Sequence, residues 1–404
     1  MTEPRRILYH HRIRADDGQA VHVRELITAL RGRGHLVDEC ALVPKAASTR
    51  GAPGEVIARP AAEAGAGGFW QRLSLPRAAV EAAEVLYNQK GRAMLRASAS
   101  ASRPDFVYER HALHLRAGLD IASELGVPML LEVNSPMTVE MHRLGLLRLS
   151  RRARRTEQAV LGRADAVLAV TQVLADMLVD LGAPADRVHV IGNGASPDRY
   201  VDGARAAAAA LRDSWGLDAD AFVLGFVGYM RPWHRLELVL DVMGRPGFER
   251  LQLALMGEGP ALQPLLAAAR ARGVIHRVRA LGVVEPAELP AHVMACEGAL
   301  IPAINEYASP LKLFDSLCAG VVTVAPDQAN LRENIEHGVN GLLFRAGDVD
   351  DLALQLQRVV QDRAYARRIG DAGRQSLLKR GWTWSGNADR VVAVYEELRR
   401  GGGR

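Results

Sequence analysis

The chain has 404 residues, 49% of them hydrophobic and 24% charged, with a formal net charge of +5 and a sequence pI near 9.3. That length exceeds the usual size of one domain and points to two, and the composition is that of a globular protein rather than a disordered or fibrous one. The positive balance is diffuse, which favours encounters with nucleotides, phosphates or acidic lipids and argues against a nucleic-acid partner.

In chain order, RILYHH (residues 6–11) reads as a short strand, RIRADDG as a loop, and QAVHVRELITALRGRG as a helix with apolar residues at Val21, Val23, Leu26, Ile27 and Leu30. Gly34 ends that helix and LVDECALV resumes as strand, the start of a parallel α/β sheet. PAAEAGAGG at 60–68 has the composition of a mobile loop. The alternation continues with PDFVYER, a helix over 113–125, PMLLEV, a long helical region over 137–162, ADAVLAVT, a helix over 172–182, and RVHVIGNG. This describes one Rossmann-like domain over 1–198. GARAAAAAL (203–211) is an Ala-rich helix or tether. A second α/β series over 199–382 runs through FVLGFVGYM, LQLALMGEG, VRALGVV, GALIPAI and VVTVA, followed by a final helix over 383–400.

Cys40, Cys296 and Cys318 stand far apart in apolar surroundings, which fits buried thiols of a reducing compartment better than disulfides or a metal site. MTEPRRILYHHRIRADDG lacks an apolar run of signal-peptide length, and no run of about eighteen apolar residues is present to span a membrane. A cytoplasmic protein is expected.

NEYASPLKLFDSLCAG (305–320) puts two charges at the start of an apolar helix. Ser309 is a good N-cap, Pro310 suits the first helical position, and Gly320 can end the helix before a buried strand. Lys312 then lies in the first turn, where the helix dipole disfavours a cation by some tenths of a kcal/mol. An anion would compensate: the N–H groups of Leu311 and Lys312 with the ammonium suit a diphosphate, and Asp315, three residues on, suits a sugar diol. The spacing equally allows an exposed Lys312–Asp315 ion pair on an ordinary helix.

SPLKLFDSLCAG is similar to a segment of the family 4 glycosyltransferases, which have the GT-B fold. DGQAVHVRELITALRGRGH, VIGNGASPDRY, GFVGYMRPWHRLE, LMGEGPALQPL and ENIEHGVNGLLFRAGD resemble other stretches of that family in the same order. The resemblance implies two facing Rossmann-like domains with parallel sheets, the C-terminal one holding a nucleotide-sugar donor and the N-terminal one admitting a glycan or lipid-linked acceptor. It also implies retention of anomeric configuration without a metal or other cofactor. On it, Lys312 and the backbone of Ser309, Pro310 and Leu311 neutralise the leaving diphosphate, Asp315 holds the ribose, Gly257 lies in the loop beneath the base, and Gly18 belongs to the loop near the diphosphate.

The chain departs from the family pattern at several positions. Tyr307 stands where relatives often carry Glu, leaving its neighbour Glu306 as a substitute, and Asp315 is one methylene shorter than the usual Glu. Tyr229 and His234 occupy positions where relatives carry Arg and Lys against the diphosphate, so Arg231, or else Arg235, would supply the charge. Activity that depended on a protonated His234 would fall as pH rises through about 6.5. Leu131 stands where a sugar-contacting His is usual. Asn134 and Glu140, beyond the strand end that carries Glu132, are therefore candidate acceptor contacts or caps of the next helix, while His111 and His114 read as surface histidines. RLGLLRLSRRARR (143–155) has six arginines among leucines and reads as a basic amphipathic helix, either a solvated face or a peripheral contact with the inner face of a membrane. Trp382 and Trp384 read as packing residues.

Two further classes share this architecture: a nucleotide-sugar 2-epimerase, and a binder without turnover, for which the departures at Tyr307, His234 and Leu131 would be the sign. No Cys/His spacing suggests zinc and no nucleophile triad is visible.

Overall fold

A computed structural model describes residues 3–15, 17–46, 76–216, 218 and 220–401; the 60–68 segment lies outside them. The chain divides into two compact units, one of Met1–Ala169, Asp176–His189 and Val392–Arg404, the other of Val170–Ala175 and Val190–Val391.

The first unit is built on a six-stranded sheet of β1 (Arg6–His10), β2 (Leu36–Cys40), β3 (Phe106–Arg110), β4 (Met129–Val133), β5 (Ala166–Ala169) and β6 (Val188–Val190), in the order β2-β1-β3-β4-β5-β6. β1, β3, β4 and β5 pair in parallel, and every residue of β3, β4 and β5 is buried, as expected for strands covered on both faces by helices.

The helices of this unit correct three sequence expectations. The helix expected over 113–125 begins at Ala117, because His114 adopts φ 61° and the Asn88 side chain binds both the His114 carbonyl and the Arg116 N–H. The region 137–162 is two helices, Met137–Arg143 and Ser150–Arg163. Gly145 at φ 66° ends the first, and the Glu81 carboxylate accepts from the Arg148 and Leu149 N–H groups just ahead of the second. The basic run 143–155 is therefore a helix end, a turn and a new helix rather than one amphipathic helix. The Glu81 that holds the turn ahead of it comes from a helix over Arg77–Ala101, an element beyond the sequence expectations.

The second unit has β7 (Phe222–Val227), β8 (Leu251–Met256), β9 (Val278–Gly282), β10 (Gly298–Leu300), β11 (Val322–Pro326) and β12 (Leu342–Phe344), ordered β12-β11-β10-β7-β8-β9 and parallel throughout. Phe222, Leu224, Phe226, Leu251, Leu253 and Leu255 form the centre of its core. The order reverses between β7 and β10, and in open α/β sheets ligands bind beyond the carboxyl ends of the strands at that reversal. The segments leaving those two ends are 228–235 and 301–310. The Ala-rich stretch is a helix, Asp202–Ser214, tied down where Arg212 binds Glu297 at 2.6 Å. Cys40, Cys296 and Cys318 are buried and unpaired. Among the described residues, no helix is long and apolar enough to cross a membrane.

Candidate active site

The segment entering the Leu311–Ala319 helix of the second unit is held from several sides. Thr171 Oγ1 donates to the Tyr307 carbonyl at 2.9 Å, Asn330 Nδ2 donates to the carbonyls of Asn305 and Ala308, and the Asn193 N–H donates to Ser309 Oγ at 3.2 Å. The Ser309 hydroxyl is thus drawn away from the helix. It is Pro310, at φ −76° and ψ 126°, that occupies the cap, and Leu311 is the first helical residue. This corrects the expected Ser309 cap and Pro310 first position; a residue preceding proline is itself disfavoured in the helical region. The N–H groups of the first turn have no acceptor within the helix.

Lys312 and Asp315 do not pair. The Lys312 ammonium lies 3.9 Å from the centre of the Phe226 ring at the end of β7, while Asp315 Oδ1 accepts from the Tyr200 hydroxyl at 2.7 Å. Among the described residues no carboxylate faces Lys312, and burial lowers its pKa from 10.5 to about 7. Tyr200, buried beside Asp315, has its own pKa pushed well up by burial and by that carboxylate.

The backbone that makes room for the ammonium is glycine. Gly228 has φ 135°, and a Cβ there would sit 3.3 Å from Lys312 Nζ. Gly257, at φ 132°, presses against the Gly228 carbonyl so closely that no Cβ fits. The two loops are stitched by Gly228 N–H to the Met256 carbonyl at 2.9 Å and Met230 N–H to the Glu258 carbonyl at 2.6 Å.

His234 lies with its ring 5.2 Å from that of Phe226. Burial, then the charges of Lys312 and Arg231, lower its pKa to about 4. It is neutral at pH 6.5, which overturns the expectation that its titration there controls activity. Its Nδ1 accepts from the Arg231 N–H at 3.2 Å, so the ring acts as a turn-closing acceptor. Arg231 is exposed, and Arg235 is engaged with Glu237 at 3.6 Å. Glu306 is exposed, whereas its neighbour Tyr307 is buried with its hydroxyl accepting from Asn305 Nδ2. Trp384 is buried, and the Trp382 ring meets Phe314 edge-on at 6.3 Å, so both pack.

In the first unit, Gly18 is the first residue of the Gly18–Gly32 helix, capped by the Asp17 carboxylate, which accepts from the Gln19 N–H at 3.0 Å. At the end of β4, the buried Glu132 gathers the Tyr108 hydroxyl at 2.7 Å, His22 at 3.1 Å, Arg110 and the Asn134 amide. Burial opposes its ionisation, but His22 and Arg110 outweigh that and hold its pKa far below the carboxylate range. Asn134 is committed to Glu132, and Glu140 lies in the first turn of Met137–Arg143, whose cap is Pro136; neither side chain caps that helix. His111 and His114 are buried against Glu157 (3.3 Å) and Glu81 (3.2 Å), correcting their reading as surface residues. Phe226, Gly228 and Tyr200 are site residues that sequence reasoning did not single out; the glycine directly after the FVLGFV strand is the sequence signal for the first two, and Tyr200 has none, since it joins the site only through its contact with Asp315. Among the described residues no group of three His, Cys, Asp or Glu side chains could hold a metal ion.

Residues 17–199 match the family described as Glycosyltransferase Family 4, and residues 208–376 match Glycosyl transferases group 1. D-inositol 3-phosphate glycosyltransferase of Geodermatophilus obscurus is 32% identical over 257 residues, covering 59% of this chain and 54% of that protein. The chain spans about half the length of the curated relatives it first matches. Sucrose-phosphate synthase from Thermosynechococcus elongatus superposes with a TM-score of 0.76 at 20% identity over 98% of this chain and 100% of that one. Anabaena HepE in complex with UDP and glucose gives 0.68 at 16% identity over 97% and 100%. At those identities the likeness establishes the fold, which is the GT-B class of α/β proteins with two parallel six-stranded sheets.

Proposed function

The chain belongs to the family 4 glycosyltransferases, and on that premise we propose that it transfers a sugar, with retention of anomeric configuration, from a nucleoside-diphosphate donor to a glycan or lipid-linked glycan. The observation that carries the reading is Lys312: a cation facing no described carboxylate, over Phe226, in the first turn of a helix at the sheet's reversal. A diphosphate there meets the ammonium and the N–H groups of Leu311 and Lys312, with Ser309 and Pro310 shaping the turn. Departure of the nucleoside diphosphate concentrates negative charge on its outer phosphate, and Lys312 with Arg231 stabilises that charge more in the transition state than in the ground state. No cofactor enters the scheme.

Asp315, oriented by Tyr200, holds the ribose diol; Gly257 and His234 shape the floor of the donor loop. Glu306, exposed on the segment 301–310, serves the transferred sugar in this reading. Gly18 serves the donor, and Asn134 and Glu140, the former oriented by Glu132, serve the acceptor. The exposed arginines of 143–155 favour a peripheral contact of a cytoplasmic protein with the inner face of a membrane. Vesicle sedimentation checks that part: binding to anionic but not neutral vesicles supports it, and equal partitioning removes it.

The experiment for the reaction is incubation with UDP-glucose and other nucleotide sugars in the absence of acceptor, following released sugar and its anomer by NMR. Slow release of free sugar as the donor's own anomer supports a retaining transferase. No release from any donor indicates a binder, and a 2-epimer of the donor indicates an isomerase.

A further inference from the structure

Tyr229, Arg231 and Trp233 alternate outward on the donor loop while Met230 between them is fully buried and anchored to the Glu258 and Ala261 backbone. Tyr229 is 49% exposed and Trp233 is 52% exposed, two large aromatic surfaces left to solvent on one short turn. The Arg231 guanidinium carbon lies 4.9 Å from the centre of the Tyr229 ring and 4.8 Å from that of Trp233. Among the described residues, no carboxylate or carbonyl accepts from that guanidinium, whereas Arg235 is spent on Glu237. The turn is closed on itself, Arg231 N–H to His234 Nδ1 at 3.2 Å and His234 N–H to the Arg231 carbonyl at 3.0 Å, so its backbone is set before any ligand arrives.

A guanidinium between two ring faces keeps its edge donors outward while its planar faces are satisfied, and it loses little rotamer freedom on meeting an anion. We infer that Tyr229 and Trp233 are positioning residues, whose rings hold the Arg231 guanidinium as the second cation for the donor diphosphate beside Lys312. The inference rests on the donor-site reading above and gives the two exposed rings at 229 and 233 a reason: each is one wall of the holder for the cation between them. The neutral state of His234 is consistent with this, since that ring then accepts from the turn and leaves Arg231 to bring the charge.

The test is calorimetric binding of UDP, or whichever of GDP, ADP and TDP the wild-type protein binds, compared with the matching nucleoside. The proteins compared are wild type, Arg231→Gln, Lys312→Ala, Tyr229→Ala/Trp233→Ala, Tyr229→Phe/Trp233→Phe, and the same alanine pair in the Arg231→Gln background. The alanine pair should weaken the nucleoside diphosphate about five- to tenfold and leave the nucleoside unchanged. The phenylalanine pair, which keeps both faces, should stay within about twofold of wild type. In the Arg231→Gln background, already weakened, removing the rings should have no further effect. An unchanged diphosphate affinity in the alanine pair, an equal loss for nucleoside and diphosphate, or the same loss without Arg231 would each overturn the inference. If Lys312→Ala abolishes diphosphate binding while ring removal is silent, the holder falls and the donor site stands; if the wild-type protein binds none of the four, both fall.

Discussion

Lys312 should trade stability for affinity, and Lys312→Met separates the two. Its pKa in the folded protein is about 7, against 10.5 for the unperturbed group. The unfolded chain therefore binds more protons than the folded one between pH 7 and 10.5, so stability rises with pH across that window and is lowest below 7. At about 1.4 kcal/mol per unit, reduced because the residue is only half-buried, the ammonium costs on the order of 2 to 4 kcal/mol near neutrality. Methionine removes that penalty at similar volume. Urea denaturation at pH 7 should show the variant more stable than wild type, with the difference shrinking towards pH 10. Calorimetry should show the opposite for ligand: loss of a charge-assisted contact of about 1.5 to 3 kcal/mol weakens UDP roughly 10- to 150-fold. A bound diphosphate also restores the proton, so at pH 8 wild-type binding should take up close to one proton, read from buffers of different ionisation enthalpy, and Lys312→Met should take up none. A variant that is less stable at pH 7, or wild-type binding without proton uptake, would refute the assignment of an uncompensated buried cation.

Donor-hydrolysis kcat/KM, which reports the free enzyme, should fall as pH rises through about 7 as Lys312 deprotonates, with no separate inflection near 6.5 because His234 titrates near 4; a profile flat from pH 6 to 9 contradicts this. Gly257→Ala should destabilise by at least about 2 kcal/mol in urea titration, since φ 132° and the Gly228 carbonyl both exclude a Cβ; a change within 0.5 kcal/mol, about what a neutral surface site shows, counts against the loop contact. Glu132→Gln should destabilise the protein by about 3 kcal/mol by leaving buried Arg110 without its counter-charge. Because the folded pKa of Glu132 is depressed, its contribution is present above the carboxylate range and lost as pH falls towards the folded value, so the gap between wild type and variant should narrow in acid.

The sheets were legible because buried parallel strands are short aliphatic runs, and RILYH, MLLEV and LQLALM say so without reference to partners. The helix over Leu311–Ala319 was legible in its extent but not in its cap, since the Asn193 backbone that captures Ser309 comes from more than a hundred residues away. For the same reason local spacing could not separate a Lys312–Asp315 pair from what the fold does, sending Lys312 to Phe226 and Asp315 to Tyr200. The break after Arg143 needed Glu81 from another helix, and the buried state of His111 and His114 needed Glu157 and Glu81. Distant side chains chose among local options that the sequence left open.

The most direct measurement of the central claim is the unfolding midpoint of wild type and Lys312→Ala against UDP, GDP, ADP, TDP and CMP. A ligand at 100 times its dissociation constant adds about 2.7 kcal/mol of stability to the state that binds it. The account predicts that one nucleoside diphosphate raises the wild-type midpoint and that Lys312→Ala loses the rise. Equal rises in both proteins, or none with any of the five, would contradict it.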